Sequence, residues 1–297
     1  MEDSEDTVDT GNATDSGDAG DAGDAEVTRL LGRFGADLGA VVTPVALWAH
    51  GSLALGDFRP GRSDLDLIAL VGGELTGVQE ERLRAVHERL VAELPYGRSL
   101  HCTYLPLTGV ADTGRTHPTW ALGEWFERPV TPVARRELAL GARVLSGPGP
   151  SGLLPAVSDT ELTDFIRAEL RGYWLRVTAR PELWLQDIWV DVGMLTFARA
   201  AVTLREGRLV TKREALDELR AQGAPAEVVD DIAHRRYGTR VGGPSVAPAN
   251  GPESGPASGR WPAHRGELAR EFVRQGIERV LGQRTLGQRT LGPRVLG

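Results

Sequence analysis

The sequence predicts an α+β fold in which a small mixed α/β sheet comes first and an all-α helical bundle follows. Between residues 27 and 105, segments with strand-type alternation take turns with amphipathic helical segments, an order that suits a small sheet carrying helices. Beyond residue 150, the apolar residues recur at helical spacing. A Gly-Pro-Gly-Pro run at 147–150 separates the two patterns. We therefore place one domain at 27–150 and a helical domain at 151–282.

Within the first domain, the apolar spacing predicts helices at 27–40 and 76–94. Short apolar or alternating runs predict strands at 45–49, at 67–71 and at 99–105. The region 117–147 is ambiguous. In it we expect Trp120 and Trp125 to lie in a packed connection and residues 137–144 to be helical.

Within the second domain, Ser158 and Thr211 each stand three residues before a glutamate, which is the pattern of a capping box at the start of a helix. Helices are predicted at 159–177, 185–205, 212–221, 225–237 and 267–281. Residues 238–260 are dense in Gly, Pro, Ser and Ala and indicate a flexible insertion. Residues 1–26 and 283–297 are predicted to be disordered tails.

The charge of the chain is uneven. Residues 1–26 carry ten acidic and no basic side chains, so removing them from the net charge of −7 leaves +3 on the remainder. That remainder shows no basic stripe with interleaved aromatic residues, which argues against duplex nucleic acid as a partner. One cysteine, Cys102, excludes an internal disulfide framework. No apolar stretch is long enough to span a bilayer and the N-terminus is acidic, so we expect a cytoplasmic protein, and a monomer.

The stretch 50–67 carries the chemistry that we expect of the whole chain. Alternate residues of a strand project from one face, so Asp64 and Asp66 aim two carboxylates at one point while Leu65 and Leu67 enter the core. Mg²⁺ commonly binds through one or two carboxylates together with substrate phosphates. The plainer interpretation of a D-x-D alone is a surface hairpin with one soluble face.

Before the two aspartates, Gly51 and Ser52 follow an apolar strand. Gly51 allows the backbone to approach a ligand closely, and Ser52 offers a hydroxyl and an N–H group to a phosphate oxygen. A Gly-Ser pair followed twelve residues later by D-x-D resembles the signature of the DNA-polymerase-β-like nucleotidyltransferase superfamily. The resemblance implies transfer of a nucleoside monophosphate from a nucleoside triphosphate with release of pyrophosphate.

In that superfamily a neighbouring strand usually supplies a third acidic group as metal ligand or general base. Here no acidic residue lies between Pro95 and Asp112, and His101 is the remaining candidate. A histidine can accept a proton from an attacking hydroxyl because its ordinary pKa is near neutral, whereas imidazole is a poor ligand for Mg²⁺. The alternative is a hydrogen-bonded histidine without a catalytic part.

A narrower resemblance covers about residues 28–237. The motifs around Gly51, Asp64 and Asp66, a Gly-Glu-Trp at 123–125, a Gly-Pro at 147–148 and a Leu-Thr-Phe-Ala-Arg run at 195–199 are similar to the aminoglycoside 3''-adenylyltransferases, which modify streptomycin and spectinomycin. The resemblance implies ATP as co-substrate and Mg²⁺ as cofactor. It also implies that Arg199, Lys212 (thirteen residues later) and Tyr237 lie at the nucleotide. A salt bridge for Arg199 and a solvated helix start for Lys212 are the alternatives.

The same resemblance implies that aromatic and acidic residues hold the drug. Candidates in the corresponding region are Trp174, Trp184, Asp187 and Asp191, although the spacing after residue 180 departs from the family and the tryptophans Trp184 and Trp189 can be core residues instead.

We therefore expect an adenylyltransferase that acts on a hydroxyl of a small molecule, an aminoglycoside-like antibiotic. Two alternatives stay open. In one, the acceptor is a protein or an RNA; in the other, the chain is a catalytically silent protein that binds nucleotide or drug.

Overall fold

A computed structural model describes residues 16–238 and 260–282 of the 297-residue chain. These residues form two compact units. The first contains residues up to Leu53 together with Phe58–Val130 and Arg143–Pro150, and the second contains Ala54–Asp57, Thr131–Ala142 and the residues from Ser151 onward. The first unit ends at Pro150, where the Gly-Pro run stands, but two internal segments belong to the second unit.

The first unit is built on a six-stranded mixed sheet in the order β5-β4-β3-β2-β1-β6. The strands are β1 Pro44–Ala49, β2 Leu65–Val71, β3 Leu100–Pro106, β4 Thr116–Ala121, β5 Glu124–Pro129 and β6 Arg143–Ser146. Strands β2 and β3 are parallel, and the other neighbouring pairs are antiparallel. The mixed sheet predicted from the sequence is therefore confirmed.

Two long helices pack on this sheet, α1 Ser16–Gly39 and α3 Gly77–Glu93, and a short α2 spans Gly51–Ala54. The side chains of Leu30, Phe34 and Leu38 on α1 are fully buried, as their spacing predicts. Helix α3 begins with a capping box in which Thr76 and Gln79 exchange hydrogen bonds. The boundaries predicted for this helix differ from the observed ones by a single residue at each end.

Three segments of the first 150 residues differ from prediction. Helix α1 begins at Ser16, so residues 16–26 are helical, although a disordered tail was predicted there. The reason is that a helix, once formed by the amphipathic segment after residue 26, gains one more hydrogen bond for each residue added to it. Residues 1–15 lie outside the described part. Residues 132–141 form helix α4 (Pro132–Gly141), earlier than the predicted 137–144, because Thr131 caps the helix and a proline stands at its start. The end of the predicted helix is wrong, since β6 begins at Arg143.

The third difference is the hairpin of β4 and β5, which contains both Trp120 and Trp125. Its two turn residues, Leu122 and Gly123, have φ values of 58° and 83°. A tight hairpin turn with positive φ at both positions normally uses Asn-Gly or Asp-Gly. Leucine at the first position hides that signal, which is why the sequence predicts only a connection.

The second unit is helical apart from its short connections. It contains α4 and α5 Asp159–Glu169, α6 Leu175–Thr178, α7 Asp187–Glu206, α8 Lys212–Ala221, α9 Ala226–Tyr237 and α10 Arg260–Gly282. A wide π-helical turn, Leu170–Trp174, joins α5 to α6. Helix α7 supplies much of the core and packs against α5, α8 and α10. The α+β class and the helical second part are as predicted.

The predicted insertion and C-terminal tail fall mostly on residues 239–259 and 283–297, which lie outside the described residues. Helix α10 begins at Arg260, seven residues before the predicted start. Within residues 16–238 and 260–282, no helix has both the length and the apolar character that crossing a membrane requires.

Candidate active site

The two aspartates of the D-x-D motif stand at the start of β2 in the first unit. Leu65 and Leu67 are fully buried in the core below the sheet. The side chains of Asp64 and Asp66 retain 48% and 29% of their exposure. This is the division between two faces that strand alternation predicts.

Gly51 makes the corner against Asp66 possible. Its φ is +62°, and a Cβ atom built there would lie 2.9 Å from Oδ2 of Asp66. The preceding N–H of His50 donates to the carbonyl oxygen of Asp66 at 2.9 Å, which fixes the end of β1 to β2. Ser52 follows in the first turn of α2. The Gly-Ser corner and the Asp66 carboxylate are therefore brought together, as the sequence predicts.

His101 occupies the neighbouring strand at the same level. In the parallel pairing of β2 and β3, Asp66 stands beside His101. The imidazole Nδ1 lies 3.5 Å from Oδ1 of Asp66, and Nε2 lies 3.8 Å from Oδ1 of Asp64. Nε2 has no hydrogen-bond partner among the described residues, and the side chain is only 7% exposed. One buried ring therefore faces both carboxylates.

The surroundings keep Asp66 ionised. Burial by itself raises the pKa of its carboxyl group, but the hydrogen bond with His101 opposes this effect. The nearby positive charges, including those of His50 and Arg128, lower the pKa further, and the net result is a pKa well below the ordinary range. The Asp66 carboxyl group is therefore ionised at physiological pH.

Arg128 is a residue that the sequence analysis missed. It stands on β5, in the hairpin that the sequence did not predict, and its Nε donates to Oγ1 of Thr103 at 3.2 Å. Thr119 on β4 also donates to Thr103, at 3.0 Å. These contacts continue the polar face of the sheet from His101 to β5.

No group of three or more His, Cys, Asp or Glu side chains in the described ranges is arranged to hold a metal ion. Asp64 and Asp66 remain as a pair of oxygen donors on one face. A pair of this kind fits Mg²⁺, which takes few protein ligands and completes its shell with water and substrate phosphates.

In the second unit, Arg199 on α7 has two contacts. Its Nη2 lies 3.0 Å from Oε1 of Glu137 on α4, and its Nε donates to the carbonyl oxygen of Val210 at 2.8 Å. The salt bridge that the sequence offered as the alternative for Arg199 is thus present. It holds the guanidinium in one orientation with its side chain partly exposed.

Arg199 also lines a pocket of about 160 Å³ inside the helical unit. The walls come from α4, α5, the π-helical turn, α7 and the segment before α8, and most of them are apolar. They include Val133, Phe165, Leu170, Trp174, Ala200 and Val210.

Lys212 is the first residue of α8 and is partly buried. The capping box predicted for this helix is confirmed: Oγ1 of Thr211 accepts from the N–H of Glu214 at 3.1 Å, and the Thr211 N–H donates to Glu214 at 2.8 Å. The helix start that carries Lys212 is therefore well defined.

Tyr237 is the last residue of α9, and its hydroxyl donates to the carboxylate of Asp57 at 2.8 Å. Burial is the main reason why the pKa of Tyr237 is raised, and the hydrogen bond with Asp57 raises it further. Asp57 was not singled out from the sequence, because its contacts join positions 156 and 180 residues apart.

The two tryptophans predicted for the acceptor are in the core of the helical unit. Trp184 is fully buried, and its Nε1 donates to the carbonyl oxygen of Val177 at 3.1 Å. A Cβ atom on Gly193 would lie 2.5 Å from its ring. Trp184 thus occupies the core position that the sequence gave as its alternative, and Trp174 is buried apart from the edge that lines the pocket.

The two aspartates that the sequence analysis predicted for the drug, Asp187 and Asp191, form ion pairs with arginines. Asp187 pairs with Arg265 of α10, and Asp191 pairs with Arg235 of α9. Asp231 pairs with both arginines, lying 2.7 Å from Arg265. Burial raises the pKa of Asp191 in spite of its arginine partner. A cationic ligand at this cluster would have to exchange with a guanidinium that is already bound.

The fold is a six-stranded mixed sheet continued by a helical part, with a Gly-Ser corner and two aspartates at one end of the sheet. A solved structure similar to this chain is the spectinomycin adenyltransferase AAD(9) from Enterococcus faecialis, determined with ATP and spectinomycin. The sequences are 14% identical and the TM-score is 0.58; the match covers 86% of this chain and 98% of that one. This similarity establishes the fold. No family model matches the chain, and no curated protein matches it.

Proposed function

We propose that this protein is a Mg²⁺-dependent adenylyltransferase that transfers AMP from ATP to a hydroxyl group of a small molecule. The observation that carries the proposal is the convergence of Asp64 and Asp66 on His101 beside the Gly51 corner. Two carboxyl groups at the end of a sheet, next to a serine at a helical turn, suit a metal-bound triphosphate.

Phosphoryl transfer depends mainly on positioning and on neutralising charge. Asp64 and Asp66 would hold the magnesium ion, which supplies Lewis-acid charge to the phosphates when it is bound. Ser52 would donate its hydroxyl and its N–H group to a phosphate oxygen. Arg199 and Lys212 would add positive charge, and Tyr237 would contact the nucleotide.

His101 is proposed to accept the proton of the attacking hydroxyl. The acceptor oxygen forms a bond to the α-phosphorus of ATP while the bond to the bridging oxygen breaks and pyrophosphate leaves. The buried Nε2 atom, which has no hydrogen-bond partner among the described residues, supports this role. Asp64 and Asp66 on either side would stabilise the imidazolium that results.

The apolar pocket beside Arg199 supports ATP as the donor, because a planar purine can be buried between aliphatic and aromatic walls. We propose that the adenine base enters it.

For the acceptor, we propose a small hydroxylated compound of the aminoglycoside type, whose adenylylation would inactivate it as an antibiotic. The support is the fold shared with AAD(9), a protein determined with spectinomycin. In this chain Asp187 and Asp191 would contact the acceptor only by releasing their arginines, so we propose them as acceptor ligands on that condition. The edge of Trp174 lines the pocket assigned to adenine, so we propose Trp174 as a contact of the nucleotide and not of the acceptor.

A second candidate is a silent protein that binds nucleotide without transferring it. The observation that favours it is His101, which stands where the superfamily usually carries an acid, together with the arginine-bound state of Asp187 and Asp191.

The test is pyrophosphate release from ATP and Mg²⁺ with a panel of aminoglycosides, with label on the α-phosphate. We expect label on the drug in the wild type and a loss of at least about 100-fold in Asp64→Asn and Asp66→Asn, because phosphate charge is then left without its metal. The matched control is Asp217→Asn, an exposed aspartate on α8 that should keep full activity.

Transfer that persists in either active-site variant contradicts the metal assignment. Label on a protein or on RNA moves the acceptor to a macromolecule. ATP binding without pyrophosphate release, whatever the acceptor, selects the silent protein.

A further inference from the structure

Asp57 is a buried acid to which neither the motif nor the fold assigns a role. It lies five residues after Ser52, in the turn between α2 and β2, and it is only 5% exposed. The segment that contains it, Ala54–Asp57, belongs to the helical unit. A carboxylate removed from water to this degree needs polar partners.

The first partner is the start of α8. Oδ2 of Asp57 accepts from the backbone N–H of Arg213 at 3.3 Å. This N–H is among the first of the helix, which have no acceptor inside the helix, and a negative charge is favourable at a helix N-terminus. Lys212 precedes Arg213 directly, so the bond fixes the backbone next to Lys212.

The second partner is the end of α9. The Tyr237 hydroxyl lies 2.8 Å from Oδ2 and 3.1 Å from Oδ1 of Asp57. The guanidinium of Arg213 lies 4.1 Å from the centre of the Tyr237 ring, and Nε of Arg236 lies 3.3 Å from the Tyr237 hydroxyl. One carboxylate thus ties the beginning of α8 to the last residue of α9.

We propose that Asp57 is a positioning residue for nucleotide binding, which holds Lys212 and Tyr237 in the orientation in which they bind ATP. The proposal rests on the proposed function, since both groups are assigned there to the nucleotide. Asp57 acts through them and does not itself touch the substrate.

Electrostatics and positioning predict opposite results for Asp57→Asn. The substitution removes a negative charge near groups that bind a polyanion, and this change alone strengthens ATP binding. It also weakens the hydrogen bonds to Arg213 and Tyr237, and an anionic acceptor is worth more than a neutral one. If positioning dominates, ATP binds more weakly although a repulsive charge has been removed.

The experiment measures the Kd of ATP by calorimetry with the full chain. We expect the Kd to rise about tenfold in Asp57→Asn, the size of one lost charged hydrogen bond. Asp217→Asn removes the same charge from an exposed site on α8 and should leave the Kd unchanged or slightly lower. Asp57→Glu, which keeps the charge, should recover part of the affinity.

A second readout does not involve nucleotide. Titration of tyrosine absorbance, with Tyr237→Phe as the blank, should give a lower pKa for Tyr237 in Asp57→Asn than in the wild type, since Asp57 helps to raise it. Arg213 and Arg236, the cations that face the phenol, remain in place in this comparison.

The outcomes separate the two proposals. A wild type that binds no ATP refutes the proposed function and this inference with it. A wild type that binds ATP, with an equal or lower Kd in Asp57→Asn, refutes the positioning role alone. If Asp57→Asn does not fold, Tyr237→Phe removes the same hydrogen bond while keeping the carboxylate, and an unchanged Kd in that variant overturns the inference.

Discussion

Gly51→Ala tests the corner at the D-x-D motif, because its two effects can be measured separately. An alanine at a φ of +62° has left-handed backbone strain of about 1 kcal/mol. Its Cβ would also lie 2.9 Å from Oδ2 of Asp66, a distance that forces the carboxylate to move. Gly56→Ala is the matched control: its φ is +72°, and no heavy atom lies within 4 Å of the new Cβ. Gly56→Ala therefore has the backbone strain of Gly51→Ala but no steric clash.

Both variants should lose about 1 kcal/mol of unfolding free energy in urea, because the backbone strain is common to them. Only Gly51→Ala should also lose transfer activity, by about 10- to 100-fold, since a catalytic group displaced by less than 1 Å has an effect of that size. The assays are urea unfolding followed by pyrophosphate release at saturating ATP. Equal activity in the two alanine variants would show that the carboxylate position is not critical, and the reasoning about the corner would be wrong.

Two further perturbations test the cores of the two units. The ring of His87 stacks on Trp120, and its Nε2 atom lies 2.7 Å from the Tyr104 hydroxyl. Burial is the main reason why the pKa of His87 is lowered, to about 3. Because this value is below the unfolded pKa of about 6.5, the unfolded state takes up the proton first. Between pH 6.5 and about 3, His87 should therefore lower the unfolding free energy by about 1.4 kcal/mol per pH unit, and His87→Gln should reduce the wild-type slope by that amount; an identical slope in both proteins would contradict the assignment. Arg265→Met should cost about 2 kcal/mol in urea unfolding, because Asp187 loses its arginine and Asp231 keeps only Arg235, whereas Arg220→Met on the surface should cost under about 0.5; similar losses in the two variants would contradict this difference.

Local pattern was sufficient for much of the fold and for the centre of the site. Strand alternation alone places Asp64 and Asp66 on one face, and the absence of an acidic residue between Pro95 and Asp112 leaves His101 as the candidate beside them. The capping box at Thr211 likewise depends on neighbours within four positions. Information of this kind is contained in short windows of sequence.

The other features of the site depend on contacts between residues that are far apart in the sequence. Asp57 looks like a turn residue in sequence, and its partners lie 156 and 180 positions away. The arginines that pair with Asp187 and Asp191 are 78 and 44 positions distant. Arg128 was missed for a different reason. It lies on the β4–β5 hairpin, and the sequence did not predict this hairpin because a leucine, Leu122, occupies the left-handed turn position where Asn or Asp is usual.

The division of the chain into interleaved segments has a consequence for its synthesis and dissection. Residues 54–57 and 131–142 leave the ribosome before any of the helices with which they share a unit, so their partners are added only later. A gene cut after codon 150 would therefore leave residues 54–57 and 131–142 in the N-terminal fragment, without the helices with which they share a unit. The C-terminal fragment would lack α4 and also Asp57, which accepts a hydrogen bond from Tyr237. The helical unit therefore cannot be transferred as the segment after residue 150 alone, because residues 54–57 and 131–142 have to be carried with it.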